Sequence, residues 1–533
     1  MHMPNKTTIL AIITLILAVV AGFMISATQE VERYSNDTEV VINSIKEPPP
    51  EPNRSVARAG ARGNDGGFIE AFPPFALPNE RIAVFKSDKD YRNFLTSLKD
   101  QNFKLLGASD RLRAIHFGFS PGAKLDGIDG AEVGYNFLVA IPAPPDASAQ
   151  AGASGFGRNA LSWLGVNEDN SQWGKGVTVA VLDSGVNSHL ALDQQKGKVH
   201  QIELTELTAD SQLGHGTAVA SIVSGDHPLT PGVAPASDIL SVRITNDSGS
   251  SDSFTLADGI TQAVDAGAKV INISMGSYGD SNIVRSAVKY AQSNGVVIVA
   301  SSGNSGLETV TYPAAYEGVI AVGAVEAKGE HLEFSNTGEN LGITAPGYSV
   351  NAAWGEEQLT QFSGTSASAP FISGAIAATM TEKNLTATQA ADLVLKNAND
   401  SGLPGTDDAY GTGILDLGRI MHSGTPGIYD AAIASQVLVS PTITSPLPQV
   451  LVTVQNRGTE TLINSPLTIN SPSGTQLINI SSLAPGAIQT YPVSVLLPNN
   501  ETQVTVSSSV QTTERDSNAT NNNRSDGFVK QAP

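Results

Sequence analysis

The 533-residue chain contains no cysteine. That excludes disulfide scaffolds, thiol nucleophiles, cysteine-ligated zinc and any lipid anchor on a cysteine, so the compartment has to be read from the N-terminus. Positive charge is also scarce: 31 Lys and Arg stand against 51 Asp and Glu, a net charge of −20. Nucleic acids and anionic membrane surfaces need clustered cations, so neither is an expected partner. One short motif is missing as well. There is no H-E-x-x-H, which removes the helical zinc-protease arrangement.

What is present divides the chain into stretches. With 40% hydrophobic and 15% charged residues, it can build one large core and two or three domains. After Lys6, residues Ile9 to Ile25 are apolar except for Thr14 and Gly22. That run exceeds a usual signal-peptide core and falls just short of a comfortable transmembrane helix. Residues 1–27 are therefore expected to be a signal peptide or a signal anchor, and the product to be secreted, periplasmic or held at the cell surface. An anchor there is the one expected route to a membrane. Residues 28–78, rich in Pro, Gly and Arg, cannot bury enough surface to fold and read as a disordered linker.

Residues 79–146 form a compact pattern. "RIAVFK" reads as a strand, and Tyr91, Phe94, Leu95 and Leu98 fall on one face of a helix. Ile115, Phe117 and Phe119 alternate along a second strand, and "YNFLVAIPAPP" is a last strand ending in prolines. Such a small α+β unit is marginal alone and calls for a partner surface. Residues 155–424 alternate helical stretches with apolar runs such as "GVTVAVLD", "DILSVRI", "AKVINISM", "VVIVASS" and "VIAVGAV". Continuously apolar strands are buried on both faces, which predicts a parallel sheet covered by helices. Residues 430–530 are rich in Ser, Thr, Asn and Pro, with short alternating runs that predict an all-β sandwich.

The groups needed for nucleophilic catalysis sit at the ends of elements in the α/β stretch. Asp183 ends a buried strand, at the carboxyl edge where open α/β sheets place their ligands. His215 lies between Gly214 and Gly216 before an apolar helical stretch, and Ser366 stands where another helix begins. A hydroxyl is a weak nucleophile; it needs an imidazole to take its proton and a carboxylate to fix that imidazole's tautomer. Asn304, between glycines after a further buried strand, offers a side-chain amide to a developing oxyanion. Taken singly these are a strand-end Asp, a loop His, a helix-capping Ser and an Asn turn. Together, each flanked by small residues that admit a substrate backbone, they read as one site.

The order Asp, His, Ser, the separations of 32 and 151 residues, and the blocks "VAVLDSGV", "GHGTAVA", "GVAPAS", "ASSGN", "YPAAYEGVIAVGAV", "FSGTSASAP" and "GTGILDL" resemble the subtilisin-like serine proteases. The resemblance implies a subtilisin-like doubly wound parallel sheet, preceded by a small α+β propeptide domain and followed by an all-β sandwich. It implies Asp183 as orienting carboxylate, His215 as general base then acid, Ser366 as nucleophile, and Asn304 with the Ser366 N–H as oxyanion donors. Ser250 and Ser274-Met275-Gly276 would be the rims that pair with substrate, and Ser305 and Thr311 would lie at the pocket preceding the cut. No Lys or Arg lines that pocket stretch, so a neutral residue of modest size is expected there. The 79–146 unit resembles an inhibitory propeptide, removed by self-cleavage in or near "DASAQAGASGFG"; the tail resembles CARDB-type sandwiches. Expected partners are protein or peptide substrates and the chain's own propeptide. No cofactor is expected for the chemistry, and structural calcium is left open. Ala218 and Ala367 depart from the family's usual histidine and methionine without removing a catalytic group.

Overall fold

The computed structural model describes residues 73–98, 103–120, 123, 125, 128–145, 152–192, 199–206, 214–442, 445, 447–495 and 503–529. The expected leader and nearly all of the expected linker lie outside them. Within Phe72–Pro533 the chain is a single compact unit. Among the described residues no helix is long and apolar enough to cross a membrane.

Seven parallel strands form the central sheet. Across it they run Leu341–Pro346, Val319–Val325, Val297–Ser301, Val270–Ile273, Thr178–Asp183, Asp238–Arg243 and Val199–Glu203. The strand that comes first in sequence thus lies between the third and fourth, and the winding reverses there. Such a switch point opens a crevice at the carboxyl edge.

Side-chain alternation explains why the runs are apolar throughout. Val179, Val181, Val270, Val299 and Val322 face one way, against Val219, Ile222, Phe371 and Ile372 of the helices His215–Ser224 and Thr365–Lys383. Ala180, Leu182, Ile271 and Ile273 face the other, against Leu256, Ile260, Ile283 and Val284 of the helices Ser253–Asp265 and Asn282–Ser293. Period 2 on a sheet covered on both faces leaves no polar side.

The small unit has four antiparallel strands, Ala76–Phe85, Lys104–Ser109, Ala114–Gly118 and Ala131–Ala140. Its first strand begins at Ala76, ahead of the expected boundary at 79. The helix Asp88–Ser97 is capped by Ser87, whose hydroxyl accepts from the Asp90 N–H, and buries Tyr91 and Phe94 against Phe85, Ile115 and Phe117. A fifth strand, Ser250–Asp252, belongs to the large α/β body. The unit rests on two helices of that body. Asn136 Oδ1 accepts from the Phe254 N–H, Asn282 donates to the Glu132 carbonyl, and His116 stacks on Phe254 with ring centres 5.3 Å apart. The partner surface that the unit's size called for is thus part of the same chain.

The C-terminal stretch forms a three-stranded and a four-stranded antiparallel sheet around an aliphatic core that includes Val450, Val452, Leu467, Ile469 and Val506. It meets the α/β body through Gln455, which accepts from the Asp400 N–H and donates to the Ala398 carbonyl, and through Arg419, whose Nε donates to the Arg457 carbonyl.

Candidate active site

Asp183 is the last residue of its strand and is fully buried. His215 is the first residue of its helix, and its Nδ1 lies 2.8 and 2.9 Å from the two carboxylate oxygens of Asp183. The Ser184 N–H donates to Asp183 Oδ1 at 2.7 Å and fixes the carboxylate from the other side. A Cβ on Gly216 would meet the Gly185 carbonyl oxygen at 2.3 Å, so glycine is what lets this helix approach the strand end. The Phe362 ring stands edge-on to the imidazole, centres 5.1 Å apart. A buried carboxylate accepting from Nδ1 leaves Nε2 as the free base.

Ser366 is buried in the first turn of the helix Thr365–Lys383. It is not a helix cap, as local sequence had suggested: Gly364 is the N-cap, at φ 126, and no side chain caps this end. Both the backbone angle and the space demand glycine, because a Cβ there would lie 2.8 Å from Asn304 Nδ2. The uncapped turn leaves the Ser366 N–H without a helix carbonyl to bond. Asn304 is aimed by its neighbours: its Oδ1 accepts from the Thr365 N–H and hydroxyl, both at 2.9 Å, so Nδ2 is left to face outward. The Ser366 hydroxyl donates to the Ser274 carbonyl at 3.0 Å, and among the described residues no hydrogen bond joins it to His215. The neighbouring Ser368 hydroxyl bonds the carbonyls of Ala345 and Pro346 at the end of a sheet strand.

The crevice is filled by the chain itself. The strand Ala131–Ala140 pairs antiparallel with Ser250–Asp252, Ser250 opposite Ala140. On its other side Ala140 exchanges both backbone hydrogen bonds with Gly276, at 3.0 and 3.1 Å. The Ile141 N–H donates to the Gly249 carbonyl at 3.1 Å, and Asn304 Nδ2 lies 3.4 Å from the Ala143 carbonyl oxygen. An extended segment thus adds a strand between two rims.

The sequence profile of the subtilase family matches residues 174–413. Subtilisin Savinase of Lederbergia lenta is 34% identical over 247 residues, covering 46% of this chain and 90% of that protein. The chain belongs to the subtilase family. A thermostable alkaline protease of Halalkalibacterium halodurans is 33% identical over 250 residues, 46% of this chain and 68% of that protein. Fervidolysin from Fervidobacterium pennivorans, a keratinolytic enzyme related to subtilisin, matches this subtilase in fold with a TM-score of 0.56 at 18% identity. That likeness covers 84% of this chain and 88% of the other. The subtilase is a peptide hydrolase of the subtilisin-like serine protease kind.

The remaining expected residues fall as follows. Ser274 is buried, and its hydroxyl donates to the Ser366 carbonyl at 3.2 Å. The Met275 side chain points into the core, so only its backbone is at the rim. Thr311 is buried behind the rim: a Cβ on Gly276 would meet its Oγ1 at 2.5 Å. Ser305 is exposed, its N–H held by Asn336 Oδ1. Sequence reasoning missed Asn272, which is fully buried, donates to the Ser274 hydroxyl and accepts from the Ser373 hydroxyl, both at 2.9 Å. Its signal was an amide inside the apolar run "AKVINISM". Ala218 and Ala367 are both fully buried in the core. Among the described residues no three His, Asp or Glu side chains are grouped as metal ligands, so no residues are assigned to calcium.

Proposed function

We propose that this chain is an exported serine endopeptidase, made as a zymogen and processed by itself. The observation that carries the reading is the segment in the crevice: it pairs with both rims as a substrate would and brings a carbonyl to Asn304. The α+β unit that supplies the segment is the inhibitory propeptide domain. The leader directs export, to the medium, the periplasm or the cell surface, and the C-terminal part is a CARDB-like sandwich.

In the reaction the Ser366 hydroxyl turns from the Ser274 carbonyl to His215 and attacks the substrate carbonyl carbon, while its proton passes to His215 Nε2. Asp183 holds Nδ1–H and stabilises the imidazolium that forms. The oxyanion is met by Asn304 Nδ2 and the Ser366 N–H, aided by the positive end of the helix dipole. His215 then protonates the leaving amine, and water hydrolyses the acyl-enzyme by the reverse proton path. The backbones at Ser250, Ser274, Met275 and Gly276 hold the substrate strand, and Ser305 and Thr311 border a pocket for a neutral side chain.

The test compares the full chain with Ser366→Ala, using fluorophosphonate labelling, mass spectrometry of the products and a peptide library. Labelling and self-cleavage are expected in the wild type alone, with cuts after neutral residues. Identical fragments from both proteins would overturn the processing scheme, and absent labelling the catalytic one. Cuts confined to Arg or Lys would overturn the pocket assignment.

A further inference from the structure

Pairing between the crevice and the chain's own segment stops abruptly after Ile141. Ala140 and Ile141 make the three rim bonds described above. The next residue, Pro142, has no N–H to give. The rim carbonyl of Ser274 takes the Ser366 hydroxyl, at 3.0 Å. The carbonyl that lies 3.4 Å from Asn304 Nδ2 is that of Ala143, and the bond following it joins Ala143 to Pro144, with Pro145 next.

We infer that Pro142 and Pro144 make this segment an occupant that the cleft holds but does not cut, so that self-processing falls on bonds outside residues 141–145. The inference rests on the catalytic roles assigned to Asp183, His215, Ser366 and Asn304. Cleavage after Ala143 requires a new bond from Ser366 Oγ to the Ala143 carbonyl carbon, then rupture of the C–N bond as the Pro144 nitrogen takes a proton from His215. That nitrogen carries a ring carbon where other residues carry hydrogen, which crowds the atom to be protonated. The ring also restricts the backbone of the residue before it. The Ile141–Pro142 and Pro144–Pro145 bonds share this obstacle. Only Pro142–Ala143 has an ordinary leaving nitrogen. There the acyl-side residue is Pro142, which offers no N–H to the Ser274 carbonyl that would hold it in register. That same vacancy leaves the carbonyl to the nucleophile's own proton, which is bonded there and not to His215. The two prolines thus act on both reactants, the bond and the hydroxyl.

The experiment expresses the full chain as wild type, Pro144→Ala and Pro142→Ala/Pro144→Ala, each also with Ser366→Ala, and maps every fragment terminus by mass spectrometry. Ala143 and Pro144 are exposed and Pro142 is half-buried, so the changes spare the core. Wild type is expected to show no terminus within 141–145. The double variant should gain a Ser366-dependent cut there, at least about tenfold faster than wild type, and Pro144→Ala a smaller gain at Ala143. Ser366-dependent wild-type termini within 141–145 would overturn the inference. So would a double variant that stays whole there while cutting itself elsewhere. A wild type that neither labels with a fluorophosphonate nor cuts itself anywhere would instead remove the catalytic reading, and this inference with it.

Discussion

The helix His215–Ser224 and the helix Thr365–Lys383 both start at a glycine, lack a side-chain cap, and carry a buried polar side chain in the first turn. Beyond that they differ. His215 is locked by two carboxylate oxygens within 2.9 Å, a contact internal to the α/β body that needs nothing in the crevice. Ser366 is turned to a rim carbonyl, in the presence of a segment that has no N–H to offer that carbonyl. The base is built permanently and the nucleophile conditionally. The proposed zymogen has a use for that division: a base fixed by its acid can wait while the hydroxyl is diverted at the cost of one rotamer change.

The largest break in the comparison comes from the locked end. In Asp183→Asn the amide can donate to His215 Nδ1, which forces the proton onto Nε2 and removes the base. A fall in kcat of about 10⁴ is expected, the size known for the wrong tautomer in other Ser/His/Asp enzymes. Active-site titration with steady-state kinetics checks it, and a loss under about tenfold would show that the Asp183–His215 pair does not set the tautomer.

The next break is at the conditional end. Asn304→Ala removes a donor whose target exists only after attack, so kcat should fall by about 10²–10³ with KM nearly unchanged, as for the same donor in a subtilisin. If KM rose and kcat held, Asn304 would be binding the ground-state carbonyl, and the contact to Ala143 would be ordinary recognition.

How far the sequence disclosed this division can be traced residue by residue. The five quoted apolar runs all became strands of the central sheet, because a strand buried on both faces has a local signature. Asp183, His215, Asn304 and Ser366 were visible because each stands where an apolar run meets glycines. Val199–Glu203, a half-exposed edge strand with His and Gln in it, gave no such signature. The orientation of Ser366 was not legible either. It depends on the Ser274 carbonyl, 92 residues away, and on Asn272 and Ser373, whose bond spans 101 residues. Hydrogen bonds over such distances leave no local periodicity. The prolines of "AIPAPP" read as the end of a strand; their effect on the nucleophile follows only from the rim they lie against.

The smallest expected effect sharpens the comparison within one helix turn. Ser366 and Ser368 are both buried serines, yet the Ser368 hydroxyl reaches the carbonyls of Ala345 and Pro346 at 3.2 Å, where a sheet strand ends. Those carbonyls face inward, so removing the donor leaves buried acceptors short of a partner, at a cost of about 1 kcal/mol. In a body this large that lowers Tm by about 2 °C. Ser368→Ala should therefore melt slightly earlier, while its fluorophosphonate labelling rate stays within about twofold of wild type, because the Ser366 turn is held through Thr365 and Asn304 instead. Calorimetry beside labelling separates the two serines. A tenfold slower labelling with unchanged Tm would mean that the strand end, and not Asn304, positions the nucleophile.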